Sequence, residues 1–139
     1  MTKPAHTRHG AIVIVEDDSD VREALEEVLN EEGYQTLGFA DGEKALAVMQ
    51  NMEAPPPLIL LDLMMPKMNG WQFRAAQQHL PAVRAIPTVI LSADANVSQN
   101  LQALGAAGYL RKPIHIQTLL ELVERFCTPT LEGFGSGAP

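Results

Sequence analysis

The stretch Ala11–Val15 reads AIVIV, a continuous apolar run that is mostly β-branched. It is too short for a buried helix and has no alternation, the pattern of a strand covered on both faces. Leu58–Leu61, LILL, is a second run of the same kind. Between them the apolar period changes. Val21, Ala24, Leu25, Val28 and Leu29 recur at helical spacing, with Asp18, Ser19 or Asp20 available as a cap and Gly33 to end the helix. Tyr34–Phe39 reads as a weaker second strand, and Asp41-Gly42 opens a helix carrying Ala45, Leu46, Val48, Met49 and Met52. After the break at residues 55–57 and the LILL run, Asn69-Gly70 punctuates a loop. Trp71–Leu80 is predicted as the third helix, stopped by Pro81. Thr88–Leu91 is the fourth strand, Val97–Leu104 a helix, and Gly108–Leu110 a brief fifth strand. Ile116, Leu119, Leu120, Val123 and Phe126 form the stripe of a last helix. Five strands alternating with five helices imply an α/β doubly wound fold, a parallel sheet with helices on both faces.

A chain of 139 residues suits one domain of this class. The compact region is expected at 11–127, with a loose leader at 1–10 and a Gly/Pro-rich tail or linker stub at 128–139. Lys and Arg number 10 against 17 Asp and Glu, a net charge of −7 that argues against broad binding to nucleic-acid phosphates or anionic membranes. The single cysteine, Cys127, excludes an internal disulfide and a cysteine metal cluster, which fits a reducing cytoplasm. The apolar runs are strand-length, far short of a membrane span, and the polar N-terminus lacks a signal-peptide core.

Ligands of doubly wound sheets bind at the carboxyl ends of the strands. There the sequence supplies Glu16, Asp17 and Asp18, then Asp62, then Ser92, then Lys112 and Pro113. Crowded carboxylates repel unless a cation or proton neutralises them, and hard oxygen ligands favour Mg²⁺ or Mn²⁺. Such a site suits an aspartate that accepts a phosphoryl group while a metal and a lysine stabilise the transferring oxygens. Taken alone, the acidic triplet better fits a solvated helix N-terminus; beside Asp62 the site reading prevails for Glu16 and Asp17, while Asp18 and Asp20 suit capping better. Tyr109 also fits a plain core position. His6, His9, His79 and His115 are scattered, with no pair at metal spacing.

IVIVEDD (12–18), LILLDLMMPKMNG (58–70), VILSA (89–93) and GYLRKP (108–113) together resemble the receiver domain of bacterial two-component response regulators, of the stand-alone chemotaxis-regulator kind. The separations agree as well: 45 residues from Asp17 to Asp62, 30 on to Ser92 and 20 on to Lys112. The resemblance implies a flavodoxin-like strand order of 2-1-3-4-5. It makes Asp62 the phospho-acceptor. Asp17 would hold the metal directly, Glu16 often through water, and Met64 through its backbone carbonyl. Ser92 would be the switch hydroxyl, Tyr109 the aromatic that turns inward with it, and Lys112 the phosphoryl contact before a cis bond to Pro113. Met64 and Asp94 would set phosphoryl lifetime.

The implied function is a phosphorylation-controlled switch. Its donor is a histidine kinase, a phosphotransfer protein or a small phosphodonor. Its output is a protein partner bound through the face of the fourth helix, fifth strand and fifth helix, as a monomer or a phosphorylation-dependent dimer. No catalysis is expected beyond phosphorylation and dephosphorylation of its own aspartate. The residues after 127 are too few for a DNA-binding output domain, so a complete chain would act by protein contact; a receiver cut from a longer regulator or hybrid kinase is the alternative. An aspartyl-phosphate phosphatase would need a second aspartate where Met64 stands, and a dinucleotide module a G-x-G-x-x-G after the first strand. A receiver that acts without phosphorylation would not need the acidic site.

Overall fold

The computed structural model describes residues 10–94 and 101–127. In chain order these hold β1 (Ile12–Val15), α1 (Ser19–Glu31), β2 (Thr36–Phe39), α2 (Gly42–Met49), β3 (Ile59–Asp62), α3 (Gly70–Gln78), β4 (Thr88–Ser92), α4 (Leu101–Leu104), β5 (Gly108–Arg111) and α5 (Ile116–Phe126). The strands form one parallel sheet in the order β2-β1-β3-β4-β5. The tail, the leader up to residue 9 and the start of the helix expected from Val97 lie outside the described residues.

Strand periodicity explains how one sheet serves two cores. Successive side chains point to opposite faces. Val13, Val15, Ile59, Leu61 and Ile90 pack on one side with Ala45, Leu46 and Met49 of α2 and Phe73 of α3. Ile12, Ile14, Leu60, Val89 and Leu91 pack on the other with Leu25 and Leu29 of α1 and Leu119, Leu122 and Val123 of α5. Every residue of β1, β3 and β4 is buried, which is why these strands read as unbroken apolar runs.

The element boundaries shift by a residue or two from the sequence expectation. Asp62 belongs to β3 and Ser92 to β4, because both still pair across the sheet. Asp18 is the N-cap of α1, accepting from the amides of Asp20 and Val21, and Asp20 lies in the first turn instead. Gly33 follows the helix at φ +94°, a conformation that glycine adopts freely. Tyr34 lies before β2 and packs into the core. α3 starts one residue early because Asn69 and Gln72 form a capping box.

Beneath α3 lies a buried polar network. Arg74 donates to the carbonyls of Leu104 (2.8 Å) and Gly105 (2.9 Å) and to Gln77 Oε1 (2.6 Å). Gln77 donates in turn to the carbonyls of Val83 (2.8 Å) and Ile86 (3.2 Å). The guanidinium thus ties α3 to the end of α4, and burial lowers its pKa.

Candidate functional site

The register brings the strand ends together. Val15 pairs with Leu61, Asp62 with Leu91, and Ser92 with Arg111. The residues leaving β1, β3, β4 and β5 therefore share one edge of the sheet. Among them Glu16 is 1% exposed, Asp62 3% and Ser92 1%, while Asp17 is exposed.

Lys112 joins the buried acids. Its Nζ lies 2.8 Å from Glu16 Oε1 and 3.4 Å from Asp62 Oδ1. Its own amide donates to the Ser92 carbonyl at 2.9 Å, which fixes where the side chain begins, and the bond to Pro113 is cis as expected. Glu16 is held at both ends. Its amide donates to the Phe39 carbonyl of β2, and its Oε2 accepts from the Asp18 amide. Glu16 Oε1 meets Lys112 Nζ as a close charge pair and has no other partner among the described residues.

The electrostatic consequence is a reluctant acid. Loss of solvent raises the Asp62 pKa from 3.8 to about 7, and hydrogen bonding to Glu16 and the charge of Glu16 push the same way. Lys112 and the Met64 amide, which donates to Asp62 Oδ1 at 3.2 Å, offset only part of this. For Lys112, burial pushes the pKa down, but the neighbouring carboxylates outweigh it and the net shift is upward. The lysine is held as a cation.

One oxygen from each of Glu16, Asp17 and Asp62 lies within 4.8 Å of the others. The set is anionic and hard, one of its buried oxygens has only the Lys112 ammonium beside it among the described residues, and two acids share that single lysine. These features fit Mg²⁺ or Mn²⁺. Met64 stands beside the site with a 67% exposed side chain. Ser92 Oγ accepts from the exposed Asp94's amide at 3.0 Å, and Tyr109 Oη donates to the carbonyls of Ser92 (3.4 Å) and Asp94 (3.2 Å). Tyr109 is half-buried and packs against the core.

Two features escaped the sequence. Ala24 and Ile116 belong to apolar stripes, yet both are exposed. With Val21, Val28, Pro113 and Ile114 they line an apolar groove of about 270 Å³ that Lys112 also borders. Arg22 lies on a polar flank of α1, yet its Nη1 donates to the Glu16 carbonyl at 2.8 Å. Charge pattern alone does not distinguish it from a solvated arginine.

A family model described as the response regulator receiver domain matches residues 12–124. The DNA-binding response regulator MtrA of Mycobacterium bovis is 34% identical over 119 residues, covering 84% of this chain and 50% of that protein. A 14.6 kDa protein from the sodA1 3' region of Leptolyngbya boryana is 30% identical over 118 residues, covering 84% and 88%. The chain spans about half the length of MtrA and of several other curated relatives, between 41% and 54%. Among solved structures, Vibrio cholerae chemotaxis protein CheY4 superposes with a TM-score of 0.75 at 30% identity, covering 84% of this chain and 98% of that one.

The raised Asp62 pKa has a thermodynamic signature. Stability from burying the neutral carboxyl is complete below about 3.8 and is lost as pH rises through about 7. Asp62→Asn keeps the shape without the charge. In chelator at pH 8, where the wild-type carboxyl must ionise in its buried site, it should therefore resist denaturant better than wild type. The gap should shrink toward pH 4. Urea melts at the two pH values check this, and no difference at pH 8 contradicts it.

Proposed function

The chain belongs to the response regulator receiver domain family, and on that premise we propose that it is a phospho-accepting switch whose acceptor is Asp62. The observation that carries the reading is Lys112 Nζ lying within 3.4 Å of both buried acids, Glu16 and Asp62. A carboxylate oxygen of Asp62 attacks the phosphorus of a phosphohistidine or an acyl phosphate. The bond to the donor's nitrogen or oxygen breaks, and its electron pair leaves with the donor. Mg²⁺, or Mn²⁺, bound there would supply positive charge that offsets the anionic phosphoryl group. Glu16, Asp17, Asp62 and the Met64 carbonyl would hold it. Lys112 exchanges part of its pairing with Asp62 for a phosphoryl oxygen, a charge-assisted contact.

The signal then passes through Ser92 and Tyr109. The Ser92 hydroxyl turns from the Asp94 amide to donate to the phosphoryl group. Tyr109 already donates to the Ser92 and Asp94 carbonyls, so movement of that loop is felt at β5. A pre-existing equilibrium of the α4-β5-α5 face shifts toward the form that binds a protein partner. The domain works as a signalling module, with no reaction beyond its own phosphorylation and dephosphorylation. No helix among the described residues is long and apolar enough to cross a membrane, and the cytoplasm, where histidine kinases present their phosphoryl groups, is the compartment we assign.

Incubation with acetyl phosphate and Mg²⁺ should add one phosphoryl group by intact mass, and the adduct should be absent with chelator and in Asp62→Asn. An adduct that persists in Asp62→Asn refutes the assignment. The exposed Met64 side chain screens the phosphoryl group from attacking water, while Asp94 orients that water. Met64→Asn should therefore shorten the adduct's half-life several-fold, and an unchanged decay removes this role.

A further inference from the structure

We infer that Arg22 is a positioning residue for the metal-binding acids, a role that rests on the phospho-acceptor reading above. Its Nη1 donates to the Glu16 carbonyl at 2.8 Å from one turn inside α1. That carbonyl belongs to the peptide joining Glu16 to Asp17. A charged donor on it fixes the peptide plane, and with it the direction in which the Asp17 side chain leaves the backbone. The Glu16 amide, tied to Phe39 of β2, holds the other side of the residue. Glu16 is thus gripped from β2 and from α1, and Asp17, which is exposed and whose side chain makes no hydrogen bond among the described residues, inherits its orientation from this grip.

The neighbouring strand makes room for the arginine. Gly38 of β2 lies under its stem, and a Cβ there would come within 3.1 Å of Arg22 Cδ and collide with the Glu26 carboxylate. A side chain at position 38 would therefore press on the two residues that cover β2 at this point, Arg22 among them. The half-buried guanidinium reaches the loop after β1 along the surface that this glycine leaves flat.

The sign of the effect separates positioning from simple electrostatics. Removing a positive charge near a cation site should tighten cation binding by Coulomb's law. Removing a residue that orients the ligands should weaken it, by roughly 10-fold or more where supporting hydrogen bonds to metal ligands have been cut. Mg²⁺ alone is titrated calorimetrically into wild type, Arg22→Met and Arg22→Lys, with thermal unfolding in chelator as the fold control. Arg22→Met should bind Mg²⁺ roughly 10-fold more weakly while keeping its chelator melting temperature. Arg22→Lys, which retains a cationic donor, should recover most of the affinity. Should Arg22→Met not fold, Arg22→Gln replaces it, with the same loss expected. Equal or tighter Mg²⁺ binding by the neutral variant overturns the role of Arg22 and leaves the site reading intact. An absence of Mg²⁺ binding by wild type overturns both.

Discussion

A single ammonium group holds two buried carboxylates at one end of a parallel sheet. Lys112 is 2.8 Å from Glu16 and 3.4 Å from Asp62, and both acids are almost fully removed from water. Two like charges with one counter-charge leave the site short of positive charge. Burial is the main reason Asp62 resists ionisation, and the Glu16 charge adds to it; the same two carboxylates make Lys112 hold its proton. On the proposed reading, a divalent cation, supported by the exposed carboxylate of Asp17, would supply the missing charge, and Asp62 beside it would receive the phosphoryl group.

Everything else in the fold serves to bring these groups together across a sequence separation of 96 positions from Glu16 to Lys112. Parallel pairing puts the ends of β1, β3, β4 and β5 on one edge, and two cores lock the sheet so that the edge does not slide. Backbone hydrogen bonds then finish the alignment: Glu16 to Phe39, Lys112 to Ser92, and Asp18 capping α1 directly after the acids. On the proposed reading, phosphorylation replaces a neutral-leaning carboxyl with a dianion in the same frame. Driving a two-state face from almost wholly off to almost wholly on takes about 5.5 kcal/mol of differential binding. New bonds to Lys112 and Ser92, with Tyr109 coupled through the Ser92 and Asp94 carbonyls, are the available sources.

The fold and the central site were legible in the sequence because both rest on strong, local patterns. A strand buried on both faces must be apolar throughout, so AIVIV and LILL stood out, and an acid at the end of such a run has few structural excuses. Asp62 and Glu16 were readable for that reason. What stayed hidden depends on tertiary neighbours. Arg74 and Gln77 look like ordinary polar helix residues, yet they are buried because the carbonyls of Leu104, Gly105, Val83 and Ile86 happen to converge on them. Ile116 fits an apolar stripe but faces the groove beside Lys112, since helical spacing reports a stripe and not how much of it a neighbour covers. Arg22 carried no pattern, because a hydrogen bond to a backbone carbonyl leaves no trace in side-chain type.

The most direct test of the charge shortfall is a titration of the carboxyl groups themselves. Carbon-13 NMR of aspartate- and glutamate-labelled protein follows the Glu16–Asp62 pair from pH 3 to 9, with Asp62→Asn used for assignment. Without divalent metal, Asp62 should titrate near 7, as its burial beside Glu16 requires. Saturating Mg²⁺ should move that midpoint down toward the ordinary carboxylate range. An Asp62 that titrates near 4 with and without Mg²⁺ would show that its carboxyl is not desolvated, and that Lys112 alone satisfies the site.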